Sequence, residues 1–232
     1  MKKNKFLRLA SFMLIACLAT CCAVGGTFAK YTTSGSATDS ARVAKWGIVL
    51  EIEGNGAAFS TTEGTAPNYT VKSSDTVKVV APGTEGKLAS YKFTGTPEVA
   101  LNLKAVIDFE LGDKWSVGGT YYCPLVITVG TEEIKGMTFA SVDLFEQAVE
   151  DEIAKLIFGE AVVDDPDGTY AKDYVAGATL NQVGTAVEIN WAWDFYTSDE
   201  NDVKDTALGD AAAAGNAPTI NFSLVVTATQ NN

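Results

Sequence analysis

The sequence predicts a mainly β domain, a jelly-roll-type sandwich with one or two short helices, behind an N-terminal export signal. Three observations predict it. Several stretches alternate apolar and polar residues with period two, Val99–Leu111 being the longest. Turn signals such as Pro82-Gly83 and Gly130-Thr131 punctuate these stretches. One segment only, Asp143–Phe158, carries a clear helical period. No repeat of 20 to 50 residues is visible, which argues against a solenoid.

The first 29 residues form the signal. Lys2, Lys3, Lys5 and Arg8 give a basic start, and no charged residue follows from Leu9 to Ala29. The run closes on Thr27, Phe28 and Ala29, small residues at −3 and −1 around a bulky one, so cleavage is expected between Ala29 and Lys30. Two alternatives stand beside it. The 21 uncharged residues are long enough for a retained membrane anchor. Cys17, preceded by Leu14, Ile15 and Ala16, has the setting of a lipid-attachment site. Gly25 and Gly26 favour a cleavable, extended end over a continuous helix.

Removing Met1–Ala29 takes away four of the 17 basic residues and none of the 29 acidic ones, leaving 203 residues with a net charge of −16. That length suits one domain with a real core. The charge opposes binding to phosphate backbones, so no nucleic-acid partner is expected. An acidic envelope attracts cations, a divalent one among them, but no cofactor is expected. Of four cysteines only Cys123 follows the leader, which excludes an intrachain disulfide in the processed chain; it reads as a small buried hydrophobe.

Lys30–Ala41 is rich in Ser and Thr with no large apolar residue after Tyr31, so residues 30–42 form an extended segment ahead of a domain spanning 43–232. Ile48, Leu50 and Ile52 alternate with Val49, Glu51 and Glu53 as a half-buried strand. Phe59–Asn68 is a loop, and Thr76–Val80 and Leu88–Thr94 are strands on either side of Pro82-Gly83. Val99–Leu111 places Val99, Leu101, Leu103, Ala105, Ile107, Phe109 and Leu111 on one parity, with room for a bulge. Tyr121–Val129 and Glu133–Phe139 form a hairpin.

In the helix Asp143–Phe158, Phe145, Val149, Ile153 and Leu156 face the core. Asp143 is the expected cap, Gly159 the stop, and Glu146, Glu150, Asp151, Glu152 and Lys155 lie opposite, with Asp151–Lys155 a surface pair. Asp164–Gly168 is a turn. Thr185–Phe195 is a strand with Val187, Ile189, Trp191, Trp193 and Phe195 on one face. Asp199–Ala214 suits a short helix, and Thr219–Thr229 closes the domain.

Chemistry is sparse. With no histidine, the usual zinc sites and the Ser-His and Cys-His nucleophile systems are out of reach. Glu188, Asp194, Trp191 and Trp193 are the one cluster resembling a glycosidase pair with its aromatics, but the tryptophans share the core parity of Val187 and Ile189. No catalytic residue, and no enzyme, is therefore expected. Asp165, Asp167 and Gly168, or Asp199, Asn201 and Asp202, supply only fragments of a calcium loop and read as solvated turns. Asn68-Tyr69-Thr70 and Asn221-Phe222-Ser223 match glycosylation triplets.

The segment GGTFAKYTTSGSATDSARVAKWGI, from Gly25 to Ile48, includes Ala41, Arg42, Val43, Ala44, Lys45 and Trp46. Trp191 and Trp193, then Asp205, Thr206, Ala207, Leu208 and Gly209, then a last strand ending Val226–Gln230, complete the set. Together they resemble the TasA/camelysin family of biofilm-matrix and cell-surface proteins of Gram-positive bacteria, exported through a dedicated signal peptidase. The likeness is specific at both ends and undiagnostic through Ala57–Lys135. It implies a jelly-roll sandwich, secreted to the matrix or cell surface, whose subunits polymerise head to tail, with accessory matrix or anchoring proteins as further partners. The mature N-terminus, Lys30, Tyr31, Thr32 and Thr33 foremost, would be the strand donated to the next subunit. The metalloprotease label carried by some relatives has no histidine here to support it. The alternative is a monomeric adhesin or ligand-binding sandwich whose membrane tie is the uncleaved leader. Cleavage is checked by intact mass and N-terminal sequencing of secreted protein, which should begin at Lys30.

Overall fold

A computed structural model describes residues 32–36, 40–42, 48–54, 60–61, 79–160, 168–181 and 183–231. Among these the chain is mainly β, with three antiparallel sheets and two α-helices. In chain order the strands are β1 (Thr32–Ser36), β2 (Ser40–Arg42), β3 (Ile48–Gly54), β4 (Ser60–Thr61), β5 (Thr84–Gly95) and β6 (Leu101–Leu111). Then come β7 (Ser116–Val117), β8 (Thr120–Tyr121), β9 (Leu125–Val129) and β10 (Glu132–Lys135). Helix α1 (Val142–Phe158), β11 (Thr169–Tyr174), β12 (Val183–Trp193), α2 (Asp199–Ala213) and β13 (Ile220–Gln230) complete the order. A four-stranded sheet runs β1-β13-β6-β11. A seven-stranded sheet runs β10-β9-β12-β5-β3-β2, with β4 added to β5, and β7 and β8 form a small hairpin.

The alternating residues do what period two requires. Leu101, Leu103, Ala105, Ile107, Phe109 and Leu111 of β6 are buried, with Leu224, Val226 and Ala228 of β13 beside them. They share one core with Ile48, Leu50 and Ile52, with Tyr91 and Phe93, and with Ile189, Trp191 and Trp193 of the larger sheet. Full burial of each large apolar side chain contributes about 1.5–3 kcal/mol, so the facing parities dominate the fold. Phe145, Val149, Ile153 and Ile157 bring α1 into the same core.

Several boundaries differ from expectation. Residues 76–78 lie outside the described residues, and Val79–Ala81 is not strand. Instead β5 starts at Thr84, where the Thr84 hydroxyl donates to the Ala81 carbonyl (2.6 Å) and accepts from the Ala81 N–H (3.0 Å), closing the Pro82-Gly83 turn. The Gly83 N–H donates to the Trp193 carbonyl at 2.8 Å, fixing that turn to the end of β12. β6 has no bulge: its register with β13 runs unbroken from Leu111↔Ile220 to Leu101↔Gln230. The irregularities fall between β12 and β5. The hairpin narrows to β9 and β10, and Phe195 lies past the end of β12, 41% exposed. Of the Asp164–Gly168 turn only Gly168 is described. At φ 69 it carries no side chain because a Cβ would sit 2.4 Å from the Ile107 carbonyl oxygen.

The ends of α1 show how side chains replace missing backbone partners. Its cap is Ser141, whose hydroxyl accepts from the Leu144 N–H at 3.4 Å; Asp143 lies in the first turn. Gly159 ends the helix at φ 77, as expected. Glu146 and Glu150 do not simply face solvent. β11 pairs with β6 only over Leu101–Val106, which leaves N–H groups further along β6 without a strand. The Phe109 N–H donates to Glu150 Oε1 (3.0 Å) and the Leu111 N–H to Glu146 Oε1 (2.6 Å). Lys155 pairs with Glu152 (2.9 Å) rather than Asp151, which accepts from Gln147 and the Tyr170 hydroxyl.

Burial raises the Glu146 pKa above its ordinary value. Asp143, Glu110 and Asp108 add to the rise, and the Leu111 N–H bond opposes it. A carboxyl whose folded pKa exceeds its unfolded value holds its proton more tightly when folded. Its contribution is present below the unfolded pKa and is lost as pH rises through the folded one. Thermal melts should therefore show Tm rising from about pH 7 to about pH 4.5, near the unfolded glutamate value, and a smaller rise in Glu146→Gln. Glu146→Ala orphans the Leu111 N–H and should lower stability by about 1–3 kcal/mol in urea titrations.

Candidate functional site

Two places gather the residues that the sequence singles out. The first is the outer edge of β13. Thr27, Phe28, Ala29, Lys30 and Tyr31 lie outside the described residues, but Thr32 and Thr33 open β1. That strand pairs antiparallel with β13 of the same chain, Thr32↔Thr229 through Ser36↔Val225. The two core positions Ala228 and Val226 stand opposite Thr33 and Gly35 on this side and opposite Leu103 and Ala105 of β6 on the other, so the β1 register supplies only small residues to these rows. A backbone hydrogen bond contributes about 0.5–1.5 kcal/mol net, and fixing each residue costs about 1–2 kcal/mol. With no large apolar side chain in TTSGS, the two sides nearly cancel. β1 is thus a strand that its own sequence holds weakly.

Other sheet margins carry the charges that discourage pairing between molecules. β10 presents exposed Glu132, Glu133 and Lys135, β11 carries Lys172 and Asp173, and the end of β6 is closed by the α1 glutamates. Ala41 and Arg42 lie in β2 opposite Leu50 and Val49. Val43, Ala44, Lys45 and Trp46 fall outside the described residues.

The second place is the foot of α2. Ser198 caps this helix by accepting from the Asn201 N–H at 3.2 Å, and Asp199, Glu200 and Asp202 follow in its first turn, where the N-terminal dipole favours acids. One turn later the helix turns Asp205 and Leu208 inward, both buried. Asp205 accepts a 2.7 Å hydrogen bond from the Tyr122 hydroxyl. Burial raises its pKa, and Tyr122 and the nearby Trp193 indole oppose that rise by favouring the carboxylate. The Trp193 N–H lies near that carboxylate but stops short of ordinary hydrogen-bond geometry. Trp193 packs on Trp115, ring centroids 5.8 Å apart, and the Trp115 N–H donates to the Thr219 carbonyl (2.9 Å).

A cleft of about 630 Å³ opens between this cluster, Pro82, Leu88 and the start of β13. Thus the fold brings Trp193 to Asp205, Leu208 and Gly209 of one helix at a single cleft. Trp191 lies in the core two residues from Trp193, and Thr206 turns outward, its hydroxyl bonded to the Asp202 carbonyl. Sequence reasoning missed Trp115 and Tyr122, which sit near short, weakly patterned strands. Trp115 is a large aromatic outside any regular alternation, and Tyr122 falls at the start of the predicted strand Tyr121–Val129 with nothing local to mark its hydroxyl as a donor.

The carboxylates considered for glycosidase chemistry are not a pair. Glu188 faces Lys87 at 3.8 Å on the exposed side of β12, and Asp194 follows its end. Six residues of strand separate them by roughly 20 Å at about 3.3 Å per residue, against roughly 5–9.5 Å for a working pair. Cys123 is fully buried and its thiol is pushed up to about 12 by burial, so it is inert at neutral pH. Among the described residues no three acidic or sulfur ligands gather as a metal site, and no helix is long and apolar enough to cross a membrane. The Asn221 amide of the second glycosylation triplet donates to Glu110 at 3.4 Å.

Comparison of the chain with family models, with curated proteins and with solved structures finds no match.

Tyr122→Phe removes the donor to a buried carboxylate and should cost about 1.5–3 kcal/mol. It should also raise the Asp205 pKa further, visible as a steeper fall of stability with rising pH. Urea titrations at two pH values check both.

Proposed function

We propose that the protein is a secreted, non-enzymatic structural subunit that assembles into extracellular fibres by exchanging its N-terminal strand, as its likeness to the TasA/camelysin family implies. One observation carries the reading. β1 is a short polar strand at a sheet edge, tied to β13 by a backbone register and by no large side chain. A strand held in that way can leave its own β13 and add to the same edge of a second copy in the same register, because the edge reads backbone geometry before side chains. Addition from one molecule to the next does not close, so it gives filaments. The two main antiparallel sheets around a common core support a jelly-roll-type sandwich as the rigid body of such a fibre. Loss of the leader would free the donor strand, and the partner is a second copy, with accessory matrix proteins and the membrane-bound precursor around it.

Two predictions test this. Recombinant Lys30–Asn232 should form filaments by electron microscopy, while Val43–Asn232, lacking the donor, should stay monomeric by sizing. Monomers from both across salt and pH would instead favour a monomeric adhesin. Because the processed chain carries −16, filament formation should be faster in salt, with divalent cations or at mildly acidic pH, each of which reduces repulsion between subunits. Light scattering that ignores all three would contradict the electrostatic part.

A further inference from the structure

Helix α2 contains a glycine that its packing does not require. Gly209 lies in the interior of a fifteen-residue helix, where glycine costs about 1 kcal/mol relative to alanine. No turn or left-handed backbone calls for it, and a Cβ built there meets nothing within 4 Å. The missing side chain leaves open the rim of the 630 Å³ cleft, and Ala212 continues that small-residue rim one turn on. The volume falls in the usual range for small-molecule sites, about 300–1,000 Å³.

Leu88, Trp115, Ile220 and Phe222 give the cleft an apolar wall, and two of its buried lining groups are polar. Trp193, 5% exposed, has an indole N–H that makes no hydrogen bond of ordinary geometry, Asp205 being its nearby acceptor. An unmade buried hydrogen bond of this kind is unfavourable until an acceptor arrives. Asp205 lies beside it, already taking the Tyr122 hydroxyl on one oxygen. A hydroxyl can accept from the indole and donate to the carboxylate. An anionic head could accept but would be repelled by Asp205 and by Asp202 in the preceding turn, while an ammonium could donate but not accept.

We propose that this cleft binds a neutral, hydroxyl-bearing apolar small molecule, its body against the Trp115–Phe222 wall and its hydroxyl at the Trp193–Asp205 end. The site lies apart from the β1–β13 seam and stands whether or not the subunit polymerises.

The test uses the full chain with 1-octanol and sodium octanoate as probes, read by tryptophan fluorescence and titration calorimetry. 1-Octanol should bind saturably at one site, with octanoate at least tenfold weaker. Gly209→Phe, whose Cβ meets nothing within 4 Å and which suits a helix interior better than glycine, should abolish binding while keeping or raising Tm. Trp193→Phe should weaken 1-octanol severalfold while leaving octanoate little changed. No saturable binding of 1-octanol, equal affinity for octanoate, or undiminished binding in a folded Gly209→Phe would each overturn the proposal.

Discussion

A strand at the end of a sheet has backbone N–H and C=O groups on one side that still need partners, and this fold is arranged around that need. β6 is covered along its whole length by β13 on one side but only along half by β11 on the other. Helix α1 supplies the remaining acceptors from Glu146 and Glu150. Those contacts fix the helix over the end of β6 and bring Phe145 edge-on against Phe109, with ring centroids 5.9 Å apart. The packing of α1 and the closure of the sheet are therefore one interaction seen from two sides.

At the other margin the same need is met differently. β13 receives β1, five residues without a large apolar side chain. The glutamate closure is held in place by a buried helix face, whereas β1 brings no large apolar side chain to its ladder. A molecule that guards one margin with charges and helix and leaves the other to a weakly held strand has a natural direction for addition of a second copy. Assembly through that margin is our reading of what the asymmetry is for.

The foot of α2 joins distant parts of the chain through one buried acid. Asp205 takes its hydrogen bond from Tyr122, 83 residues earlier, and borders Trp193. An acid in that position stabilises the fold only while its donor is present, because a buried carboxylate without partners is costly. Gly209 and Ala212 line the cleft beside it, and a Cβ built at Gly209 meets nothing within 4 Å.

Much of this was legible in the sequence, and the reason is local. Alternation along Leu101–Leu111 and Ile48–Ile52 declared which faces are apolar, and burying those faces set the strands. The period of α1, its Gly159 stop and the Gly130-Thr131 hairpin turn are likewise decided within a few residues. What failed was whatever depends on a partner far along the chain. Glu146 and Glu150 read as solvent-facing charges because nothing near them reveals that β11 ends at Val106 on β6. Asp143 read as the cap, although Ser141, two residues earlier, had the free hydroxyl and the extended backbone to do it. The pairing of Thr32 with Thr229, and the meeting of Tyr122 with Asp205, belong to tertiary structure alone. Local periodicity states which side of an element avoids water; which other element covers that side, and which backbone groups are then left unpaired, is settled only when the sheets close.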